Sequence, residues 1–195
     1  MEHYFTNNEN LKSDFRSVKY VYKDTPFVFT SDLGVFSKNK IDYGSKSLLE
    51  KVLEIESTGK KILDVGCGYG FIGIVLSKIL DSTVDMVDVN KRALHLTQMN
   101  IKNMKVNAEC FLSDAYKSVT EKYDIIITNP PIRAGKDKVL EILLGAKEHL
   151  NIDGTLYYVI RKDQGAKSIT KVLSKTYKIE LLEKNKGFYI YSAKL

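Results

Sequence analysis

Long apolar segments are missing from this sequence. No apolar run approaches the ~20 residues that a membrane-spanning helix needs, and the first five residues are polar and acidic where a secretory signal would be basic and then apolar. Low-complexity tracts and convincing internal repeats are also missing. These features predict a cytoplasmic protein without a membrane partner. A length of 195 residues with 44% hydrophobic residues suits one globular domain.

Cysteine and histidine are scarce and scattered. Cys67 lies within a run of glycines and Cys110 within an apolar segment, so neither is placed for a structural disulfide. His3, His95 and His149 form no Cys/His spacing of the kind that binds zinc. The sequence therefore predicts no metal site.

The net charge of +6 at pH 7 permits a polyanionic partner such as RNA. The 30 lysine and arginine residues are spread along the whole chain, which is equally typical of a solvated surface. Charge alone leaves both interpretations open.

Strand-like and helix-like segments alternate from Gly44 onward. The predicted strands are residues 61–65, 83–87, 108–112, 123–127 and 155–160. The predicted helices are residues 45–55, with Ser45 as its N-cap, 71–79, a segment after Asn90, 137–149 and 164–174. The chain closes with strands 177–182 and 188–193 around Lys184-Asn185-Lys186-Gly187, a hairpin signal. This order predicts an α/β, Rossmann-like fold: a mostly parallel sheet with helices on both faces and a C-terminal antiparallel hairpin.

Residues 1–43 do not share this alternation. Segments 18–22 and 27–30 have the composition of short strands, with Pro26 between them. We predict that residues 1–43 form an N-terminal β extension packed on the core. Residues 44–195 would then form the ligand-binding part of a single structural domain.

Four polar landmarks follow predicted strands directly. They are the glycine loop after residue 65, Asp88, Asp114 and Asn129. In open sheets of this kind, ligands bind beyond the carboxyl ends of the strands, near the switch in strand order. The sequence therefore predicts one binding site at that edge of the sheet.

The glycine loop indicates close approach of a ligand to the backbone. Gly66, Gly68 and Gly70 alternate between a strand and a helix, where the chain turns sharply. With Gly73, the last two also satisfy G-x-G-x-x-G, and Asp88 follows at about the ribose-binding distance. A nicotinamide dinucleotide is therefore a competing ligand that the glycines do not exclude.

Two carboxylates favour a different ligand. Asp64 would repel a phosphate but attract the ammonium of an amino acid, and Asp88 can accept hydrogen bonds from ribose hydroxyls. An adenosyl amino acid has both groups and no phosphate. Structural roles stay open, because Asp64 could cap the following turn and Asp88 the helix near Asn90.

Asn129-Pro130-Pro131 directly follows a buried strand. The motif could simply end the strand. Alternatively, the Asn129 amide oxygen and the Pro130 carbonyl would be two acceptors for the N–H groups of an exocyclic amine. That pairing would aim the nitrogen lone pair at an electrophile in the neighbouring pocket.

Together these motifs resemble class I S-adenosylmethionine-dependent methyltransferases. More narrowly, the chain resembles the catalytic domain of small-subunit ribosomal RNA guanine-N2 methyltransferases, the methyltransferase small domain family, over about residues 25 to 195. The narrower resemblance depends on Val35-Phe36-Ser37, Ile41-Asp42-Tyr43-Gly44-Ser45 and Asn129-Pro130-Pro131.

The resemblance implies a role for each matching residue. The methionine portion of the donor would be lined by Asp64, Gly66, Cys67, Gly68 and Gly70, with Gly44 and Ser45 closing over its end. Asp88 and Val89 would hold the ribose, and Asp114 and Ala115 would contact the adenine. Asn129, which also borders the donor, would grip the target amine together with Pro130, and Pro131 completes the motif. The product would be S-adenosylhomocysteine.

The sequence departs from the family pattern in two places. Ile132 stands where an aromatic residue often stacks on the target base, so Phe36 is an alternative stacking residue. The longer ribosomal enzymes carry an extra N-terminal domain that is not expected in this chain. We expect a monomer or homodimer. Basic residues expected at the same edge, where RNA would approach, are Arg133, Lys136, Arg161 and Lys162.

Two alternative functions stay open. The chain could be a glutamine-amide methyltransferase that acts on protein, or a donor-binding module without catalysis.

Overall fold

A seven-stranded sheet forms the centre of the molecule. The computed structural model describes residues 13–32, 35 and 40–195. Its sheet consists of β3 (Lys61–Val65), β4 (Thr83–Asp88), β5 (Ala108–Leu112), β6 (Tyr123–Thr128), β7 (Leu150–Arg161), β8 (Lys178–Asn185) and β9 (Phe188–Lys194). The strand order is β5-β4-β3-β6-β7-β9-β8. Pairings among β3 to β7 are parallel, whereas β9 is antiparallel to both β7 and β8. The predicted fold class and the terminal hairpin are confirmed.

Helices cover both faces of this sheet. They are α1 (Tyr43–Ile55), α2 (Phe71–Ile79), α3 (Lys91–Met104), α4 (Lys136–Gly145) and α5 (Ala166–Leu173). Helices α1, α2 and α3 contribute to one apolar core and α4 and α5 to the other, because successive strand residues point to opposite faces. Within β6, for example, Ile125 and Ile127 belong to the first core and Ile126 to the second. No helix of the described ranges is long and apolar enough to cross a membrane.

The strand order reverses beside β3. The chain passes from β3 to β4 and β5 on one side and then returns to form β6 on the other. The carboxyl ends of β3 and β6 therefore flank the crevice where ligands bind in such sheets.

Several element boundaries differ from the sequence-based expectation. Helix α1 begins at Tyr43 and its N-cap is Asp42, not Ser45, because the Asp42 carboxylate accepts the Ser45 backbone N–H at 2.8 Å. Helix α4 ends at Gly145 and continues as a 3-10 turn, and β7 begins five residues before the predicted 155. The final hairpin turns at Lys186 and Gly187, both with positive φ, as a type I′ turn requires.

An antiparallel hairpin, β1 (Arg16–Tyr22) with β2 (Thr25–Ser31), packs beside the glycine loop. Pro26 lies inside β2 opposite Val21, not between the two strands as expected. The Phe29 ring meets Tyr69 and Phe71 at centroid distances of 5.8 and 5.6 Å. The aromatic face of the hairpin is thus part of the same core as α2.

Candidate active site at the carboxyl ends of the strands

The loop between β3 and α2 leaves its outer side open. Gly66 and Gly68 have φ values of 77° and 59°, a region that side chains disfavour. A Cβ atom at either position would meet nothing within 4 Å. The backbone N–H groups of Gly66 and Cys67 both donate to the Val87 carbonyl, which fixes the loop against the end of β4. The loop is therefore held against β4, and its outer side leaves space for the close approach of a ligand.

Gly73 has a different role from the loop glycines. A Cβ atom there would lie 2.5 Å from the Met86 sulfur and 2.7 Å from its Cγ. Glycine at this position allows α2 to pack on β4. Close helix–strand packing thus accounts for the last glycine of the G-x-G-x-x-G spacing.

Two polar side chains of helix α3 form hydrogen bonds with the glycine loop. Thr97 donates from Oγ1 to the Gly68 carbonyl at 2.8 Å, and Asn100 donates from Nδ2 to the Tyr69 carbonyl at 2.9 Å. Both side chains are fully buried. Sequence analysis missed them because the bonds join residues about 30 positions apart; their only signal is a polar residue on the apolar face of a helix.

Asp64 is a buried carboxylate at the switch between strands. Only 2% of its surface is exposed, and Oδ2 accepts the Gly73 N–H at 3.0 Å. The capping role left open by the sequence is thus present, since Gly73 lies in the first turn of α2. The pKa of Asp64 is raised to about 7, mainly by burial, with a smaller contribution from the nearby Asp88, while the hydrogen bond from Gly73 opposes the shift. A cationic neighbour would stabilise the ionised form of this buried carboxyl group.

Asp88 ends β4 and faces the glycine loop. Its Oδ2 accepts the Gly68 N–H and its Oδ1 the Asn90 N–H, both at 2.9 Å. Burial raises the pKa of Asp88, and backbone hydrogen bonds, including one from Val89, oppose that shift. Helix α3 is capped by Asn90 and not by Asp88, since Asn90 Oδ1 accepts the backbone N–H groups of Arg92 and Ala93. Asp88 therefore anchors the loop and keeps lone pairs for a ligand.

Cys67 and Asp114, which are also predicted to contact the methyl donor, differ in burial and in charged neighbours. Cys67 is buried beside Asp88 and Asp64, and burial foremost raises the pKa of its thiol, so it lines the loop as a neutral group. Asp114 forms ion pairs with Lys117 and Lys138, both at 2.6 Å. Hydrogen bonds from these lysines lower the pKa of Asp114. Ala115, buried, follows with φ of 49°.

Asn129 follows β6 at the other side of the crevice. The Thr128 hydroxyl donates to the Val65 carbonyl at 2.8 Å, which ties the end of β6 to the end of β3. The Asn129 amide nitrogen donates to Asp42 Oδ2 at 3.0 Å and to Ser45 Oγ at 2.8 Å. Pro130 is buried beside it. The structure thus brings Ser45 to Asn129, and it adds Asp42, whose role the sequence did not reveal.

An aromatic pair with two cations borders Gly44. A Cβ atom on Gly44 would lie 2.7 Å from Phe188, so glycine here lets the Phe188 ring approach α1. Tyr43 meets Phe188 at a centroid distance of 5.6 Å. Arg161 lies 5.5 Å from the centroid of Phe188 and Lys186 lies 4.9 Å from that of Tyr43. We call these four residues the aromatic–cation cluster.

The remaining predicted substrate residues flank the ends of β6 and β7. Ile132 is half-buried against the α4–α5 core and lines a cavity of about 190 Å³. Arg133, Lys136, Arg161 and Lys162 are exposed, and Arg161 also pairs with Asp163 at 2.9 Å. Phe36 lies outside the described residues. Ligand contacts of all these residues remain predictions.

Comparison with known proteins identifies the family. The model of the methyltransferase small domain family matches residues 26–192. The uncharacterized protein YbxB of Bacillus subtilis is 41% identical over 198 residues, or 99% of this chain and 98% of the relative. Ribosomal RNA small subunit methyltransferase C of Vibrio parahaemolyticus is 31% identical, with 95% of this chain and 54% of that protein covered.

A solved structure agrees in fold. The T. thermophilus 16S rRNA N2 methyltransferase, in complex with AdoMet and guanosine, superposes with a TM-score of 0.85 at 24% identity, covering 94% of this chain and 51% of that one. The chain thus spans about half the length of the ribosomal RNA methyltransferases it matches. Because the family model covers most of the sequence, the chain belongs to the methyltransferase small domain family, and the enzyme class predicted from the sequence, a methyltransferase, is confirmed.

Proposed function

We propose that this protein transfers a methyl group from S-adenosylmethionine to the exocyclic N2 of a guanine in small-subunit ribosomal RNA, in the cytoplasm. The observation that carries the proposal is the position of Asn129-Pro130, which is tied through Thr128 to the end of β3, where the glycine loop begins. The residues predicted to bind the donor and those predicted to bind the amine would therefore share one crevice.

The donor side fits an adenosyl amino acid. The open loop at Gly66 and Gly68 leaves space where a side chain would stand. Buried Asp64 would pair with the ammonium group and Asp88 with the ribose, whereas a pyrophosphate would meet two carboxylates. Ala115 would lie against the adenine, with Asp114 at its edge. When bound, S-adenosylmethionine supplies an activated sulfonium methyl group.

The acceptor side orients a nitrogen. The Asn129 amide oxygen and the Pro130 carbonyl would accept hydrogen bonds from the two N–H groups of an exocyclic amine. This arrangement would direct the lone pair of the amine nitrogen at the methyl group. Alignment supplies most of the rate increase in such a displacement. The attacking amine loses its proton after attack, so the reaction requires no strong base. A base-paired amine is occupied, so the target guanine must be unpaired or flipped.

Charges and rings at the same edge support an RNA substrate. Arg133, Lys136 and Lys162 are exposed near the ends of β6 and β7, where they would contact phosphates. The aromatic–cation cluster lies beside Gly44, next to the residue that holds Asn129. Aromatic rings with neighbouring cations are typical of single-stranded nucleic acid sites. Phe188 and Tyr43 would supply the stacking that Ile132 does not.

The relatives support the same substrate. The Vibrio parahaemolyticus relative is named a small-subunit ribosomal RNA methyltransferase, and the T. thermophilus structure is named an N2 enzyme with guanosine bound. Extending these names to this chain gives the guanine N2 assignment. A glutamine side-chain amide would fit the same two acceptors, so methylation of a protein is the competing outcome.

A transfer assay with labelled S-adenosylmethionine distinguishes methylation of RNA from methylation of ribosomal protein. The protein should transfer label to small-subunit RNA from a strain without this gene and leave ribosomal proteins unlabelled. Asn129→Ala should reduce the transfer roughly 100-fold, since one transition-state contact of this kind is worth that much. Donor affinity, measured by calorimetry, should fall only modestly. Label found in protein alone, or normal turnover by the variant, would contradict the proposal.

A further inference from the structure

Both hydrogens of the Asn129 side-chain amide form hydrogen bonds with a segment that is distant in the sequence. The nitrogen donates to Asp42 Oδ2 and to Ser45 Oγ, residues 87 and 84 positions away. An amide nitrogen carries two hydrogens, so none is left for a substrate. The segment that begins α1 therefore controls the side chain that follows β6.

Asp42 determines which way the amide is turned. Its carboxylate can only accept hydrogen bonds, and the same oxygen also accepts the Ser45 N–H at 2.8 Å. Rotating the Asn129 amide by half a turn would set its carbonyl oxygen against this carboxylate. The orientation with the nitrogen towards Asp42 is thus strongly favoured, and the carbonyl oxygen is turned away from it.

We propose that Asp42 is a positioning residue for methyl transfer, which presents only the carbonyl oxygen of Asn129 to the acceptor. A site with this polarity selects an attacking nitrogen that carries hydrogens, and it disfavours a ring nitrogen that has none. The inference rests on the proposed function in taking Asn129 as the acceptor-binding residue. It extends that function by assigning the selectivity for an N–H group to a residue outside the Asn129-Pro130 motif.

Asp42 is also the N-cap of α1, so its two roles must be separated. Serine is as good an N-cap as aspartate, and Asp42→Ser can keep the bond to the Ser45 N–H. Its shorter side chain does not reach the Asn129 amide. Asp42→Asn keeps an oxygen for both partners and serves as the conservative variant. Asp153→Ser, an exposed change at the other end of the sheet, is the matched control.

The first measurement is kinetic, with labelled S-adenosylmethionine and small-subunit RNA. Asp42→Ser should lower kcat about 10- to 100-fold, the usual cost of a small misplacement of a reacting group. Its melting temperature and its affinity for S-adenosylhomocysteine should match those of Asp153→Ser. Asp42→Asn should recover activity to within about fivefold of wild type, since charged hydrogen bonds exceed neutral ones by about 1 kcal/mol. Wild-type kcat in Asp42→Ser would overturn the inference.

The second measurement needs no activity. In the NMR spectrum of the unliganded protein, the side-chain amide protons of Asn129, assigned by their loss in Asn129→Ala, should exchange slowly in wild type and Asp42→Asn and rapidly in Asp42→Ser. Equal exchange in all three would contradict the positioning role. Failure of wild type to methylate RNA would sink the proposed function, and the exchange rates would still decide whether Asp42 holds the amide.

Discussion

Burial of Asp64, the residue predicted to bind the ammonium group of the donor, destabilises its ionised form in the unliganded protein. The pKa of this carboxyl rises from the ordinary value of 3.8 to about 7. The folded state therefore holds its proton more tightly than the unfolded state does. Between about pH 4 and pH 7 the folded form binds more protons, so stability falls as pH rises through this window. At 1.36 kcal/mol per pKa unit, the loss above pH 7 is on the order of 4 kcal/mol.

Asp64→Asn should remove this loss, because an amide does not ionise. In urea unfolding at pH 5 and pH 8, the variant should lose less stability with rising pH than wild type does. Its affinity for S-adenosylmethionine should fall by about 1.5–3 kcal/mol, the worth of hydrogen bonds to a charged group. The pKa of Asp88 is also raised, so part of the decline should persist in the variant. Parallel pH profiles for the two proteins would contradict the account.

Asp42 illustrates why part of the site escapes sequence analysis. The glycine loop and Asn129-Pro130-Pro131 are local motifs, and each follows a strand that its apolar residues predict. The hydrogen bond from Asn129 to Asp42 spans 87 residues, and no spacing rule connects two such positions. The N-cap was misplaced by three residues for a related reason: both Asp42 and Ser45 are good capping residues, and only backbone geometry selects between them.

At the scale of elements, one buried side chain links the N-terminal hairpin to the glycine loop. Asn100 on α3 accepts the Thr30 N–H at 2.8 Å and donates to the carbonyls of Thr30 and Tyr69. Strand β2 and the glycine loop are thereby held by the same amide. The hairpin therefore supports the glycine loop, although it contributes no residue predicted to touch the donor.

Asn100→Ala should lower the free energy of unfolding by about 3–4 kcal/mol, because three hydrogen bonds of about 1 kcal/mol each are lost at a buried position. Asn103→Ala is the matched control, since Asn103 is exposed on the same helix. Urea denaturation provides the measurement, and calorimetry with S-adenosylhomocysteine should show weaker binding to Asn100→Ala. Equal stability of the two variants would show that the amide bonds do not hold the hairpin.

The elements themselves were largely predictable, and the exceptions have physical causes. Strands β3, β4, β5 and β6 are short apolar runs between turn signals, and the structure places them within a residue of the prediction. Strand β7 extends to Leu150 because the residues from Leu150 to Thr155 bulge against β6, between Tyr123 and Ile125. That irregularity depends on the neighbouring strand, which the local sequence does not contain.

At the scale of the whole molecule, positive charges are spread over the chain. We expect only those at the carboxyl ends of the strands, where RNA is proposed to bind, to determine RNA affinity. Lys162 is exposed beyond the end of β7, whereas Lys178 is exposed at the start of β8, at the opposite end of the sheet. Lys162→Ala should weaken RNA binding and reduce the salt slope by about one, as loss of one phosphate contact does. Lys178→Ala should leave both unchanged. Binding curves from 50 to 200 mM salt provide the test, and equal slopes for the two variants would contradict an RNA site at this edge.

The central claim is that this protein methylates N2 of a guanine in small-subunit ribosomal RNA. The most direct test is mass spectrometry of nucleosides from that RNA, isolated from a deletion strain and its parent. We expect the N2-methylguanosine content to fall in the deletion strain and to be restored by the wild-type gene but not by Asn129→Ala. An unchanged N2-methylguanosine content in the deletion strain would contradict the claim.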